Sequence, residues 1–204
     1  MLMRRKLASV VLLAAFGASF GHAQILNSQR IEQTFGSYGI EVLYSDDALR
    51  VSSLYSEDHG RRVTRTAAIV AYPVRVPRAL ASEHETILRG GSIGATLQAA
   101  GWEVSKSSHS YFTSSAADLA TLMDVDEKTP LATHGYRLSV SQAGVSYDYA
   151  WIIETHHPDY LRERDLVEIY GPEPTGGASA DREREVRALW DRGRRQLAES
   201  ALGQ

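Results

Sequence analysis

Alternating apolar and polar positions predict two β-hairpins in this chain. The first joins extended runs at residues 49–55 and 63–72 across a turn-forming stretch at 57–60. The second joins residues 133–141 to 145–155 and is the clearest hairpin pattern in the sequence. Both faces of its last strand are largely apolar near the end, which is typical of a central strand that is covered on both sides.

Helical periodicity and glycine or proline boundaries predict short helices around these hairpins and one long, charged helix after them. The short helices are expected at residues 28–35, 82–89, 92–100, 115–123 and 158–170, with a short strand at 102–104. The long helix, at about 179–201, carries an apolar stripe of Val186, Leu189, Trp190 and Leu197. This stripe fits a helix docked on the rest of the domain, and it also fits a helix that binds a partner or a second copy.

The predicted elements indicate an α+β fold in which helices flank an antiparallel sheet. We expect one domain over residues 24–170, a linker rich in glycine and proline over 171–178, and the charged helix over 179–204. The chain of 204 residues has no cysteine, so packing rather than disulfide bonds must stabilise the domain.

The first 23 residues have the pattern of a cleavable signal peptide. Arg4, Arg5 and Lys6 precede a 14-residue apolar run that ends at Phe20, and small residues follow at a potential cleavage site after Ala23. The run is shorter than the roughly 20 residues that a membrane-spanning helix needs. We therefore expect a periplasmic or secreted protein that is not membrane-bound after cleavage.

The charge balance argues against nucleic acid as a partner. Acidic residues number 25 against 22 Lys and Arg, and the predicted leader holds three of the basic ones, so the mature chain is more acidic than the formal net charge of −3. Nucleic acids and anionic membranes attract clustered positive charge instead. His156, His157 and Asp159 match no zinc-binding spacing, and we expect neither a metal nor a cofactor.

Two charged residues occur where the strand pattern expects apolar ones. Arg65 shares a strand face with Val63, Ala67 and Ile69, and Glu154 ends an apolar run. A charge that is buried without a partner is costly, so each residue needs an ion-pair partner, an exposed strand end or a ligand. The pattern leaves open a structural ion pair and a pocket in which Arg65 binds a carboxylate and Glu154 transfers a proton.

Several short motifs follow one another in a fixed order over residues 28–161. They are RIEQTF at 30–35, IEVL at 40–43, TRT at 64–66, LRGGSIGATL at 88–97, TPL at 129–131, and IE at 153–154 followed by Pro158 and Tyr160. This order resembles the chorismate lyase family and the related UTRA ligand-binding domain of transcription regulators. The resemblance implies a chorismate lyase-like α+β fold around a small-molecule site.

The resemblance also implies roles for particular residues. Arg65 corresponds to an arginine that binds a substrate carboxylate, and Glu154 to the active-site acid of an elimination that releases pyruvate. Ile93 and Gly94 lie at a helix start that contributes backbone contacts to the ligand. These roles imply a cofactor-free lyase that acts on a small carboxylated, chorismate-like compound. A non-catalytic periplasmic binding or interaction domain and a structural accessory protein are the alternatives.

Overall fold

A computed structural model of the chain describes residues 25–173 and 179–202. The predicted leader and residues 174–178 of the predicted linker lie outside the described residues, so both stay predictions. No helix in the described ranges is long and apolar enough to span a membrane.

Six antiparallel strands form one sheet, which confirms the predicted α+β class. Their order across the sheet is β1-β2-β3-β6-β5-β4. The strands are β1 Gly39–Ser45, β2 Leu49–Asp58, β3 Arg61–Ala71, β4 Glu103–Ser114, β5 Leu131–Gln142 and β6 Val145–His156. Both predicted hairpins are present, as β2-β3 and β5-β6, and they meet where β3 pairs with β6. The last hairpin strand is therefore central, as its two apolar faces predict.

Helices cover both faces of the sheet. They are α1 Asn27–Phe35, α2 Ala81–Leu88, α3 Ile93–Ala99, α4 Ala117–Met123, α5 Glu163–Tyr170 and α6 Ser179–Leu202, with a 3-10 turn at Arg78–Leu80. The row Ser52, Ala68, Glu154 and His134 belongs to one face, which we call the cavity face. Residues of α1, α2, α3 and α5 pack over it, whereas α4 and α6 cover the opposite face.

The strand β4 is much longer than the predicted residues 102–104. It spans 12 residues and pairs with β5 along its length, apart from an irregularity between Ser107 and Ser110. It lies at the edge of the sheet, and its residues 103–107 alternate between exposed and partly buried positions. An edge strand of this composition lacks the apolar alternation that sequence patterns detect.

The helix α6 packs against the sheet and shares its core. Its Val186, Trp190 and Leu197 are buried in one cluster with Ile69 and Ile153 of the sheet. The apolar stripe that was expected to bind either the domain or a partner is thus covered within the chain. Self-association through this stripe would require α6 to leave the sheet, because burying its apolar side chains is what stabilises the docked position.

Candidate functional site

A partly enclosed cavity lies between the sheet and the starts of α1 and α3. Its volume is about 70 Å³, whereas a single water molecule needs only about 10 to 15 Å³ on this measure. Its floor is apolar and includes Ala68, Val70 and Ile152. The cavity therefore has space for a small organic molecule whose body contacts apolar side chains.

Arg50 of β2 forms one wall of the cavity. Its side chain is held in place because Nε donates to Ser52 Oγ at 2.8 Å and Nη1 donates to the carbonyl oxygens of Ile87 and Gly91 at 2.7 and 2.9 Å. The residue is 1% exposed and its Nη2 makes no hydrogen bond within the described residues, although the Tyr72 hydroxyl, which makes none either, lies near the guanidinium. No carboxylate of the described chain forms an ion pair with it, so one buried positive charge borders the cavity uncompensated.

Lys106 of β4 and Glu154 of β6 also line the cavity. Both side chains are 6% exposed, and Lys106 Nζ lies 3.9 Å from Glu154 Oε2. This distance is too long for a direct hydrogen bond, and neither atom has another hydrogen-bond partner in the described ranges. Lys106 Nζ also lies 4.2 Å from the centroid of the Tyr136 ring, a distance typical of a cation–π contact.

Asn27 at the start of α1 orients Glu154. Its Nδ2 donates to Glu154 Oε1 at 3.0 Å and to Thr66 Oγ1 at 3.2 Å, while its Oδ1 accepts from the hydroxyl of Tyr160 at 2.7 Å. One carboxylate oxygen of Glu154 is thus fixed by the protein. The other, Oε2, is the one that remains near Lys106.

Aromatic side chains beside the cavity stay neutral at physiological pH. Burial, followed by the nearby Glu154 carboxylate, raises the pKa of the Tyr136 hydroxyl well above its usual value of 10.0. Burial, followed by the charge of Lys106, lowers the pKa of His134 well below its usual value of 6.5. The charged groups of the described lining are therefore the cations Arg50 and Lys106 and a single carboxyl group, that of Glu154.

The structure places three of the four predicted site residues at this cavity. Glu154, Ile93 and Gly94 are among its lining residues. A Cβ atom on Gly94 would lie 2.5 Å from Leu26 Cδ2, so the glycine allows the starts of α3 and α1 to approach each other over the sheet. Their contacts with a ligand stay predictions.

Arg65 does not line this cavity, contrary to the expectation that it converges on Glu154. The pairing of β2 with β3 shifts register between Leu54 and Tyr55, opposite Arg65, and this β-bulge moves Arg65 from the α6 side of Ala67 and Ile69 to the side that α1 covers. There it lies beside the last residue of α1, whereas the cavity lies at the first residues of that helix. Its Nε donates to Ser56 Oγ at 2.9 Å, and its guanidinium lies 3.8 Å from the centroid of the Phe35 ring. The protein itself thus supplies the partners of this arginine.

Sequence reasoning missed both cations of the cavity. Arg50 had the same signal that identified Arg65, because it interrupts the apolar residues Leu49 and Val51 in a predicted strand. Lys106 had no such signal, since serines surround it in a strand whose length was not predicted.

His156, the last residue of β6, and His157 have different hydrogen-bond partners. His156 is fully buried and its Nδ1 lies 3.0 Å from Thr66 Oγ1, whereas His157 Nδ1 accepts from the backbone amide of Asp159. Across the described residues, no group of three or more histidines and acidic residues is arranged to hold a metal ion.

Comparisons with known proteins show likeness at low sequence identity only. No protein-family model and no curated protein matches this sequence. Among solved structures, the chain is similar to PhnF from Mycobacterium smegmatis, with 16% identity over 64% of this chain and 63% of that one, and a TM-score of 0.46. This chain therefore spans less than two thirds of that protein.

Two further solved structures are similar over a comparable part of the chain. One is a GntR-family transcriptional regulator from Bacillus cereus, with 12% identity over 65% of this chain and 83% of that one, and a TM-score of 0.38. The other is the C-terminal domain of the histidine utilization repressor from Pseudomonas syringae pv. tomato, with 10% identity, 62% and 90% coverage, and a TM-score of 0.33. Chorismate lyase is not among these three structures.

Proposed function

We propose that this protein binds a small organic anion, such as a carboxylate, in the cavity between the sheet and the starts of α1 and α3. The observation that carries the proposal is the charge of the lining, where two buried cations face one carboxyl group. Carboxylates are strong acceptors for guanidinium donors, and the pair is strongest where water is excluded. A bound anion would therefore compensate the charge that the described residues leave unbalanced.

A purely structural role for these charges is the alternative, and Arg50 argues against it. A buried charged donor that lacks an acceptor costs more than the roughly 1 to 3 kcal/mol of a neutral one. Nη2 of Arg50 is such a donor, although its neighbouring donors are satisfied by Ser52, Ile87 and Gly91. Arg50 lines the cavity, is held rigidly and has one donor without a hydrogen bond, which suits it to binding a ligand.

Catalysis is the finer hypothesis for the same cavity. An elimination that releases pyruvate needs a proton donor within reach of the leaving oxygen. Glu154 Oε2 supports this role, because it is buried, lines the cavity and is not held by Asn27. A lyase mechanism would place Glu154 as that acid, with Arg50 and Lys106 rather than Arg65 as the groups nearest the substrate carboxylate.

Export is the proposed setting for this function. The basic start, the apolar run and the small residues before the cleavage site support processing at residue 23. The ligand would then be a small anion of the periplasm or the extracellular medium.

Calorimetric titration with small monocarboxylates, from acetate to benzoate, tests the binding proposal. We expect saturable binding by the wild type and at least about tenfold weaker binding by Arg50→Lys. Lysine keeps the charge but loses the planar fork of donors, so the anion loses at least one charge-assisted hydrogen bond. Circular dichroism of each variant would verify that it is folded.

Two further arginine variants serve as comparisons. Arg75 is exposed, so Arg75→Lys should leave the dissociation constant unchanged. Arg65→Lys tests whether Arg65 binds the ligand. The sequence-based prediction expects this change to weaken acid binding, whereas the position of Arg65 outside the cavity predicts an unchanged dissociation constant. Equal affinity of wild type and Arg50→Lys for every acid in the series would contradict the proposal.

A further inference from the structure

Two histidines of neighbouring strands share a hydrogen bond beneath α5, and we call them the histidine pair. His109 Nδ1 of β4 lies 2.8 Å from His134 Nε2 of β5, and the two rings are stacked with their centroids 5.1 Å apart. His134 is fully buried, whereas His109 is partly exposed. Two N–H groups cannot face each other at this distance, so the contact requires that one of the facing nitrogens carries no proton.

The backbone of β4 is distorted where it presents His109. The pairing of β4 with β5 is irregular between Ser107 and Ser110, and Ser108 has a φ of 55°, in the left-handed region. A serine in this conformation is strained, and such strain persists only where the surrounding structure holds it. A β-bulge re-aims the side chains that lie in it, and the side chain placed here is the one that meets His134.

The same stretch of β4 attaches the end of α5 to the sheet. The Tyr170 ring, at the last residue of α5, lies against His134 with 4.4 Å between the ring centroids. The hydroxyl of Tyr111 donates to the carbonyl oxygen of Gly171 at 3.0 Å, and the backbone amide of Tyr111 donates to the Glu173 carboxylate. The histidine pair is thus packed between the sheet and the end of α5.

The surroundings of the histidine pair disfavour an additional positive charge. Burial, followed by the charge of Lys106, lowers the pKa of both histidines below the usual value of 6.5. The titratable and charged groups around the pair are Lys106 and Tyr111 of β4, Tyr136 of β5, Glu154 and His156 of β6, Tyr170 of α5, and Glu173 after it. The Glu154 carboxylate faces Lys106, and the Glu173 carboxylate accepts from a backbone amide. Among the described residues, neither histidine of the pair forms an ion pair with a carboxylate.

We infer that the histidine pair is a pH-dependent switch, which holds the end of α5 on the sheet near neutral pH and releases it when the pair takes up protons. Uptake either puts protons on both facing nitrogens, which separates the rings, or leaves a cation packed near Lys106 without a carboxylate in contact. Both situations are relieved when Tyr170 leaves the pair and water reaches the rings. The inference goes beyond the proposed function and does not depend on ligand binding.

Release of α5 also changes the cover of the cavity. The Tyr170 ring lies over Lys106, with 4.9 Å between Nζ and the ring centroid, and Lys106 is one of the cavity-lining residues. When Tyr170 leaves, this lysine loses part of the cover that α5 provides. The switch therefore links the pH of the medium to the exposure of one side of the cavity.

Amide hydrogen exchange of the wild type at pH 7.5 and pH 5.0, corrected for the intrinsic pH dependence of exchange, tests the switch. The opening equilibrium of residues 166–170 should rise at least about tenfold at pH 5.0, because each histidine that regains a pKa near 6.5 on opening contributes up to roughly 30-fold. The amides of Ile69 and Ile153, on paired central strands, report global unfolding for comparison. Carboxyl groups with ordinary pKa values stay largely ionised over this range.

His109→Phe and His84→Phe form a matched pair of variants. Phenylalanine keeps a ring beside His134 and Tyr170 but takes up no proton, so His109→Phe should reduce the rise in α5 opening at least about fivefold. His84 is also partly buried, and its Nδ1 lies 2.9 Å from the hydroxyl of Tyr149, but it belongs to α2. His84→Phe should therefore leave the response of α5 unchanged.

The switch is overturned if the opening equilibrium of α5 is the same at both pH values, or if it rises equally in the wild type and His109→Phe. Ring signals of the wild type, followed by NMR, decide the matter even where a variant does not fold. Titration of both rings near pH 6.5, with α5 protected throughout, would show that the pair accepts protons without releasing the helix.

Discussion

Two buried arginines on neighbouring strands are satisfied in different ways. Arg65 stacks on Phe35 and donates to Ser56, and its charge is accommodated near the edge of the cavity face. Arg50 donates to two main-chain carbonyl groups, and its Nη2 makes no hydrogen bond within the described residues. The difference shows why a charge within a strand pattern is not sufficient to identify a ligand-binding residue, since its neighbours in space decide whether it needs a ligand.

At the same scale, His156 should make stability depend on pH. Burial, followed by the charges of Lys106 and Arg30, lowers the pKa of His156 to about 3. The unfolded chain, with a pKa near 6.5, therefore takes up a proton that the folded chain does not, and stability falls as the pH drops below about 6.5. The free energy of unfolding should be about 2 kcal/mol lower at pH 5 than at pH 8 through this residue alone.

Denaturant unfolding of the wild type and His156→Asn at both pH values measures this contribution. The variant should lose about 2 kcal/mol of the pH dependence, while His59→Asn should keep all of it, because the side chain of His59 is 98% exposed. An equal pH dependence in the wild type and His156→Asn would show that His156 is protonated in the folded protein.

At the scale of elements, two glycines allow α6 to lie close to the sheet. A Cβ atom on Gly193 of α6 would lie 2.5 Å from Ile69 Cγ2, and one on Gly135 of β5 would lie 2.6 Å from Val186 Cγ1. Gly193 of α6 thus faces Ile69 of the sheet, and Gly135 of the sheet faces Val186 of α6. Arg194 adds a two-pronged ion pair with Asp118, which joins α6 to α4.

Gly193→Ala should therefore destabilise the protein, although alanine favours helices more than glycine does. We expect a loss of about 1 to 3 kcal/mol, because the added methyl group must displace α6 or a stiff, buried isoleucine. Ala188→Gly, at an exposed position of the same helix, measures the propensity effect separately, at about 1 kcal/mol. Thermal or denaturant unfolding would report both, and a stabilised Gly193→Ala variant would mean that α6 does not pack this closely.

In the molecule as a whole, hydrophobic clusters pack on both faces of the sheet. The central strand β6 contributes Ile152 to the cluster under α2 and α3 and Ile153 to the cluster under α6. Removing α6 would leave only α4 over the second cluster, although the sequence pattern predicts a domain that ends at residue 170. The described fold therefore depends on the helix beyond the predicted linker.

A chain that ends at residue 173 should fail to form a stable fold. Each large apolar side chain that loses its burial costs about 1.5 to 3 kcal/mol, and several such losses equal the roughly 5 to 15 kcal/mol of stability that domains have. We expect aggregation or non-cooperative unfolding by circular dichroism, whereas a chain that ends at residue 202 should unfold like the full-length protein. Cooperative unfolding of the shorter chain would show that α6 is an accessory element.

Elements with a local pattern are predictable from the sequence. Both hairpins, the central position of β6, the α+β class and the helix starting near residue 28 follow from periodicity and turn residues. Glu154 was also identified this way, because a charge at the end of an apolar strand contrasts with its immediate neighbours in sequence. Such signals require only the spacing of residues along one segment.

Which charged side chains come together depends on the pairing and packing of distant segments. Lys106 lies 48 positions from Glu154 in sequence and approaches it because β4 and β6 flank the same strand. The bulge that turns Arg65 towards the end of α1 arises from the pairing of β2 with β3, and the cover over Ile69 comes from a helix more than a hundred residues away. Pairing register and helix docking depend on contacts between distant segments, and no single segment of sequence encodes them.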